Sequence, residues 1–268
     1  MISFPPAKIN LGLRITEKRG DGFHNLETIF IATSLCDVLE IIPREDHQVL
    51  FSQSGIPLDI DFEKNLCVKA YKMMMELFEL PGANIYLHKV IPFGAGLGGG
   101  SSDAAWIIKM CDGLYHLNLN DAQMIKVAST LGSDCPFFIL NRPAFACGKG
   151  EKLISIEIDL QNLKMLIVKP PFEISTPLAY SKVKPEIPEN DLRSLIQAPY
   201  DEWKDKIFND FEKALFSDYP ELASIKQKFY DYGAVYASMS GSGSAFYGLF
   251  PSIPDIDWPV DYFVWKEK

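Results

Sequence analysis

Apolar residues recur at helical spacing over 65–80, where Leu66, Ala70, Met73, Met74, Leu77 and Phe78 share a face and Pro81-Gly82 closes the run. The same spacing predicts a helix over 101–115, opened by a serine N-cap and carrying Trp106, Ile107, Met110 and Leu114. A third helix is predicted over 121–131, with Asp121 placed where a carboxylate suits the helix dipole. Positions 84–91 alternate as a strand does. The stretch 30–42 alternates unevenly, with Val38, Ile41 and Ile42 marking a strand, and "AKINLGL" near the start reads as an apolar first strand. Beyond Glu151 the segments shorten. Strands are predicted over 152–158 and 164–168, and the two prolines of "KPPFEISTPLAY" turn the chain. The stretch 184–203, rich in Pro, Asn and Asp, reads as irregular. Helices over 208–215 and 220–232 and strands over 234–239 and 245–250, the strands joined by "SGSGS", complete the pattern. It predicts an α+β chain in two parts, 1–155 and 156–268.

The 268 residues are 47% hydrophobic and 23% charged, ordinary for a soluble globular protein. A net charge of −9 with no block of lysine or arginine argues against a nucleic-acid surface and leaves room for a local basic pocket for phosphates. The five cysteines (Cys36, Cys67, Cys111, Cys135, Cys147) are odd in number, scattered and never in a C-x-x-C pair. They read as reduced thiols of a cytoplasmic protein, with Cys135 and Cys147, beside apolar neighbours, expected in the core. The N-terminus lacks a charged-then-apolar leader and no apolar run approaches about 18 residues, so neither secretion nor a membrane span is expected.

The chemistry concentrates in "IPFGAGLGGGSSDAAW", residues 91–106. Gly94, Gly96 and Gly99 satisfy G-x-G-x-x-G between a strand and a helix, but a dinucleotide fold also needs a second strand ending in an acid about 20 residues on. That region reads "GLYHLNLNDAQ", polar and turn-like. A P-loop needs Gly-Lys-Ser/Thr, and Gly148-Lys149 is followed by Gly150. What survives is physical: glycines let successive N–H groups face one concavity, and the following helix favours negative charge there. The segment reads as a nest for a polyphosphate.

"PFGAGLGGGSSDAA" resembles the phosphate-binding motif of the GHMP small-molecule kinases, and "GGGSSDAA" resembles the diphosphocytidyl-methylerythritol kinase family within them. "PPAKINLGLRI", "DGFHNLETIF", "LGSDCPFF", "NDFE" and "SMSGSGSAFYGLF" resemble further motifs of that family, in its order, from residue 5 to 250. The resemblance implies a two-lobed α+β GHMP kinase fold, with a ribosomal-protein-like N-terminal lobe and a ferredoxin-like C-terminal lobe. It implies transfer of the ATP γ-phosphate, with Mg2+, to the 2-hydroxyl of a cytidine-diphosphate-linked methylerythritol. Two alternatives stay open: another GHMP kinase acting on mevalonate, homoserine or a sugar, and a non-catalytic nucleotide-binding relative.

The family's roles fall on residues that also admit plainer readings. Asp134 matches the family's general base; by spacing alone it reads equally as a helix N-cap. Lys8 matches the catalytic lysine, expected to keep the aspartate ionised and orient the acceptor oxygen; by alternation alone it is a solvent-facing lysine. Asn10 matches a substrate contact. Phe23 (where tyrosine is usual) and His24 match cytosine contacts, with Tyr180 as the second aromatic and Thr176 and Gly241 as further substrate positions; a core tyrosine and a hairpin turn are the plain readings of the last region. The resemblance puts ATP against Pro92, Phe93, Gly94, Ala95, Gly96, Leu97, Gly98, Gly99, Gly100, Ser101 and Ser102, with Asn65, Leu66 and Lys89 lining the adenine side. No metal cage is legible, and Ser101 or Ser102 is the candidate magnesium ligand.

Overall fold

The computed structural model describes residues 1–57 and 61–268. It opens with β1 (Ile2–Ser3), β2 (Pro6–Lys18), β3 (His24–Cys36), β4 (Val38–Pro43) and β5 (Val49–Gly55). The uneven alternation over 30–42 is thus two strands, broken at Asp37, whose N–H donates to the Pro5 carbonyl. After a 3-10 turn at Phe62–Lys64 come α1 (Leu66–Phe78), β6 (Ala83–Lys89) and α2 (Gly99–Tyr115).

Helix α2 starts two residues earlier than the pattern predicts, and its N-cap is not a serine. Gly98 caps it at φ 71°, without a side-chain bond. A left-handed residue lets the loop turn directly into the helix, at a conformation that suits glycine, and the two serines fall inside the first turn. α3 (Asp121–Leu131) matches its expected span; Asn120 and Gln123 close a reciprocal capping box ahead of it. α4 (Cys135–Leu140), β7 (Ala144–Cys147) and β8 (Lys152–Ser155) follow. Cys135 is buried, but Cys147, at the end of β7, is only half-buried, correcting its placement in the core. All five thiols are free.

The remainder runs β9 (Lys164–Lys169), α5 (Thr176–Lys182), α6 (Leu192–Leu195), α7 (Tyr200–Lys206), α8 (Asp210–Leu215), α9 (Pro220–Asp231), β10 (Tyr236–Met239), β11 (Phe246–Phe250) and β12 (Phe263–Lys266). The stretch 184–203 is therefore not wholly irregular. It holds two short helices, organised by Trp203, which is fully buried and donates its indole N–H to the Ala198 carbonyl.

Contacts group the chain into two compact units: Met1–Lys8, Ala32–Phe93 and Gly98–Arg142 in the first, and Ile9–Ile31, Gly94–Leu97 and Pro143–Lys268 in the second. In the first, the sheet order is β1-β4-β6-β5, with β5 and β6 parallel and joined through α1. β6 alternates cleanly: Ala83, Ile85, Leu87 and Lys89 are buried while Tyr86 and His88 point outward. α1 packs on β5 and α2, and α2 on α3 and α4. Val68, Tyr71, Met74, Ile107, Ile108, Phe137 and Phe138 fill that core. In the second unit the sheet β10-β11-β9-β12 is antiparallel. Its core gathers Leu166, Val168, Phe211, Leu222, Phe229, Met239 and Phe246. A third sheet has the order β2-β3-β7-β8. Among the described residues no helix is long and apolar enough to cross a membrane.

Candidate active site

The first unit brings Lys8 and Asp134 together. Lys8, on β2, is 3% exposed, so the solvent-facing reading fails. Its ammonium lies 3.6 Å from Asp134 Oδ2, and the Asp134 side chain is 31% exposed. Asp134 occupies the position ahead of α4, yet makes no capping bond to it. An aspartate kept for its helix would accept an N–H two or three residues on. Its other oxygen, Oδ1, accepts from the Ser133 hydroxyl at 3.4 Å. Burial pushes the Lys8 pKa below 10.5, and Asp134 only partly opposes that. The pair is a buried cation beside a carboxylate that solvent or a substrate hydroxyl can reach.

The opening of α2 lies against this pair. A side chain at Gly98 would meet Lys8 Cγ and Cε at 3.1 Å. The first intrahelical bond runs from the Ser102 N–H to the Gly98 carbonyl, so the N–H groups just ahead of Ser102 have no acceptor within the helix. The Ser102 hydroxyl is fully buried and has no partner among the described residues. Three N–H groups without an acceptor in the helix, a helix dipole and a buried hydroxyl without a partner among the described residues suit a phosphate.

Asn65 and Leu66 adjoin the same turn. Leu66 Cδ1 would lie 3.7 Å from a side chain at Gly100, while the Asn65 side chain accepts the Cys67 N–H as the cap of α1. Pro92 is buried and Phe93 exposed. Lys89 is 2% exposed, and its ammonium is engaged by both Asp37 and Asp103. A nucleotide contact through that ammonium would require breaking those bonds. Among the described residues no group of three or more His, Cys, Asp or Glu side chains is arranged to hold a metal.

In the second unit, Asn10 is 2% exposed and donates to Thr28 Oγ1 at 2.9 Å. Gly96, at φ 75°, packs so closely that a side chain there would meet the Ser240 carbonyl at 1.9 Å. Ser240 Oγ in turn donates to the Gly96 carbonyl at 2.8 Å. A side chain at Gly241 would meet Gly96 Cα at 3.2 Å and Asn10 Oδ1 at 3.5 Å. Asn10, Gly96 and Gly241 are therefore neighbours, and the "SGSGS" turn is more than a hairpin. It is held from beneath by "NDFE", a motif to which spacing assigned no role. Asn209 donates to the carbonyls of Met239 (2.8 Å) and Gly241 (2.9 Å), and Glu212 accepts from the Met239 N–H at 2.7 Å.

His24 and Tyr180 stack with centroids 5.0 Å apart at 29°, and Tyr180 meets Phe211 edge-on at 4.9 Å. Burial, with Lys18 nearby, lowers the His24 pKa below 6.5, so the ring is neutral at neutral pH and offers one donor and one acceptor nitrogen. Phe23 is 57% exposed and carries the Lys149 ammonium 4.7 Å from its ring centre. Thr176 opens α5, its hydroxyl 3.0 Å from that of Ser242. Lys149 had no signal in the sequence beyond lying next to glycines, whereas Ser242 lies in the glycine-rich segment that reads either as a cover for the phosphates or as a hairpin turn.

Known proteins match this arrangement closely. The GHMP kinases N terminal domain model matches residues 65–142, and the GHMP kinases C terminal model matches 183–255. A 4-diphosphocytidyl-2-C-methyl-D-erythritol kinase of Bacteroides fragilis is 48% identical over 93% of this chain and 92% of its own. That of Bacteroides thetaiotaomicron is 46% identical over the whole of both. A crystal structure of 4-(cytidine 5'-diphospho)-2C-methyl-D-erythritol kinase superposes with a TM-score of 0.80 at 34% identity, covering 93% of this chain and 90% of that one. The chain belongs to the GHMP kinases and, within them, to the 4-diphosphocytidyl-2-C-methyl-D-erythritol kinase family.

Proposed function

We infer that this chain transfers the γ-phosphate of ATP to the 2-hydroxyl of 4-diphosphocytidyl-2-C-methyl-D-erythritol, giving the 2-phosphate and ADP, in the non-mevalonate route to isoprenoid precursors. The single observation that carries the chemistry is the Lys8–Asp134 pair set beside Gly98 at the opening of α2. Phosphoryl transfer asks the protein chiefly to position its partners and stabilise charge. Asp134 takes the proton of the attacking hydroxyl. Lys8, fixed by burial, orients the acceptor oxygen and balances the charge that gathers there.

The segment from Pro92 to Ser102 cradles the triphosphate, with Asn65 and Leu66 on the adenine side. The buried Ser102 hydroxyl, with Ser101 beside it in the same turn, would hold a Mg2+. Mg2+, when bound, neutralises phosphate charge. Asn10, Thr176 and Gly241 contact the acceptor substrate. The neutral His24 ring and Tyr180 read the cytosine, with Phe23 supplying a further aromatic face. Phe23 lacks the hydroxyl of the usual tyrosine, so its share of recognition is stacking alone.

Along the chain the family's two halves divide near residue 155 in this reading, supported by models that stop at 142 and resume at 183, although contacts group 143–155 with the second unit. Five free thiols favour the reducing cytoplasm as its location.

Purified protein tests this reading by ATP turnover with the cytidyl substrate against mevalonate, homoserine and galactose. Turnover of the cytidyl substrate alone is expected. Turnover confined to one of the others would overturn the cytosine assignment, and bound ATP without turnover on any would overturn the kinase assignment.

A further inference from the structure

The glycine segment is anchored at both ends by one buried cluster whose charged groups the proposed function does not use. Asp37 is fully buried in the break between β3 and β4. Its Oδ1 accepts the N–H groups of Val90 and Ile91, at 2.6 and 2.8 Å, where the chain leaves β6. Its Oδ2 meets the Lys89 ammonium. The same ammonium donates at 2.8 Å to Asp103 Oδ2, on the opening turns of α2. Gly99 makes that reach possible, because a side chain there would stand 2.8 Å from Lys89 Nζ. One carboxylate thus fixes where the segment begins, and one ammonium ties that point to the helix where it ends.

We propose that Asp37, Lys89 and Asp103 are positioning residues that hold the two ends of the glycine segment at the spacing a bound triphosphate requires. Their charged groups set nucleotide affinity through the ends of the segment rather than by contact with the nucleotide. The physical reason is preorganisation: N–H groups held in place lose little freedom when an anion arrives. A loop this rich in glycine would otherwise be costly to order. Burial of all three charges below 3% exposure keeps the tie from being exchanged for water. The proposal rests on the reading of this segment as the phosphate site, but the anchoring is measurable without nucleotide.

The test uses the full chain. Amide exchange at Val90 and Ile91 is read in nucleotide-free wild type, Asp103→Ala and Asp103→Asn, followed by KM for ATP and kcat. In the wild type both amides, although outside any helix or strand, are expected to be protected; free exchange there overturns the proposal without any variant. Asp103→Ala is expected to speed their exchange and raise KM for ATP about tenfold, with kcat changed by less than about threefold. Asp103→Asn keeps an oxygen for Lys89 and is expected to restore both readouts to within about threefold of wild type. An Asp103→Ala variant with wild-type exchange and KM, or a loss confined to kcat that asparagine does not rescue, overturns the proposal while the phosphate reading stands. Protected amides in a wild type that binds no ATP overturn the phosphate reading, and the nucleotide role of the anchor falls with it.

Discussion

Lys8 and Lys89 are both buried lysines beside aspartate, 3% and 2% exposed, and the fold treats them in opposite ways. Lys8 lies 3.6 Å from Asp134, a carboxylate about a third open to solvent. Lys89 faces two carboxylates in direct contact, both buried. Burial lowers the pKa of each ammonium. At Lys8 it prevails over Asp134, whereas at Lys89 the two aspartates more than offset it and the pKa ends above 10.5. The difference is one of compensation. A buried charge in direct contact with two buried carboxylates is architecture, and one set beside a partly open carboxylate is held ready for a substrate. Asp103 meets Lys89 through Oδ2, while its buried Oδ1 has no hydrogen-bond partner among the described residues and burial lifts its pKa, to about 7.

The largest effect expected from breaking this contrast is on rate. Asp134→Asn is expected to lower kcat by about 10²–10⁴, read in steady-state turnover, because it removes a positioned base. Next is Lys89→Met, which strands two buried carboxylates and is expected to lose about 3–5 kcal/mol of stability in denaturant unfolding.

Alkaline titration sharpens the contrast at intermediate size. The Lys8 pKa is lowered, so kcat/KM is expected to decline at a pH below 10.5, by up to about tenfold per pH unit, and Lys8→Arg moves that limb upward. Stability runs the other way. Between the folded Lys8 pKa and 10.5 the unfolded chain holds more protons, so the Lys8 contribution to stability rises with pH. The raised Lys89 pKa contributes stability that is full below 10.5 and lost as pH rises through the folded value. The smallest effect expected is that of Asp134→Asn on unfolding, under about 1 kcal/mol, since the carboxylate is partly exposed and caps nothing.

Much of this was legible along the chain. Helix spacing places α1 and α3 within a residue or two, and the motif order points to Lys8 and Asp134. The position of Lys89 was also available: it keeps the two-residue phase of Ala83, Ile85 and Leu87, which puts it on the buried face of β6. Its partners were not, because Asp37 and Asp103 lie 52 and 14 residues away along the chain. The start of α2 was misplaced because a serine is the commoner N-cap, whereas a left-handed glycine leaves the first N–H groups open for a ligand. Helices α6 and α7 escaped because four and seven residues are too few for a periodic signal, and Trp203 organises them through tertiary burial. The support of "SGSGS" by Asn209 and Glu212 is carried by side chain to backbone bonds, which leave no hydrophobic pattern.

The most direct test compares Lys8→Met with Lys89→Met for two quantities, the single-turnover rate of phosphoryl transfer and the thermal unfolding midpoint. Lys8→Met is predicted to abolish transfer while keeping or raising the midpoint, and Lys89→Met to lower the midpoint by several degrees. A Lys8→Met protein that unfolds early but still transfers phosphate, beside a Lys89→Met protein as stable as wild type, would contradict the division between chemistry and architecture.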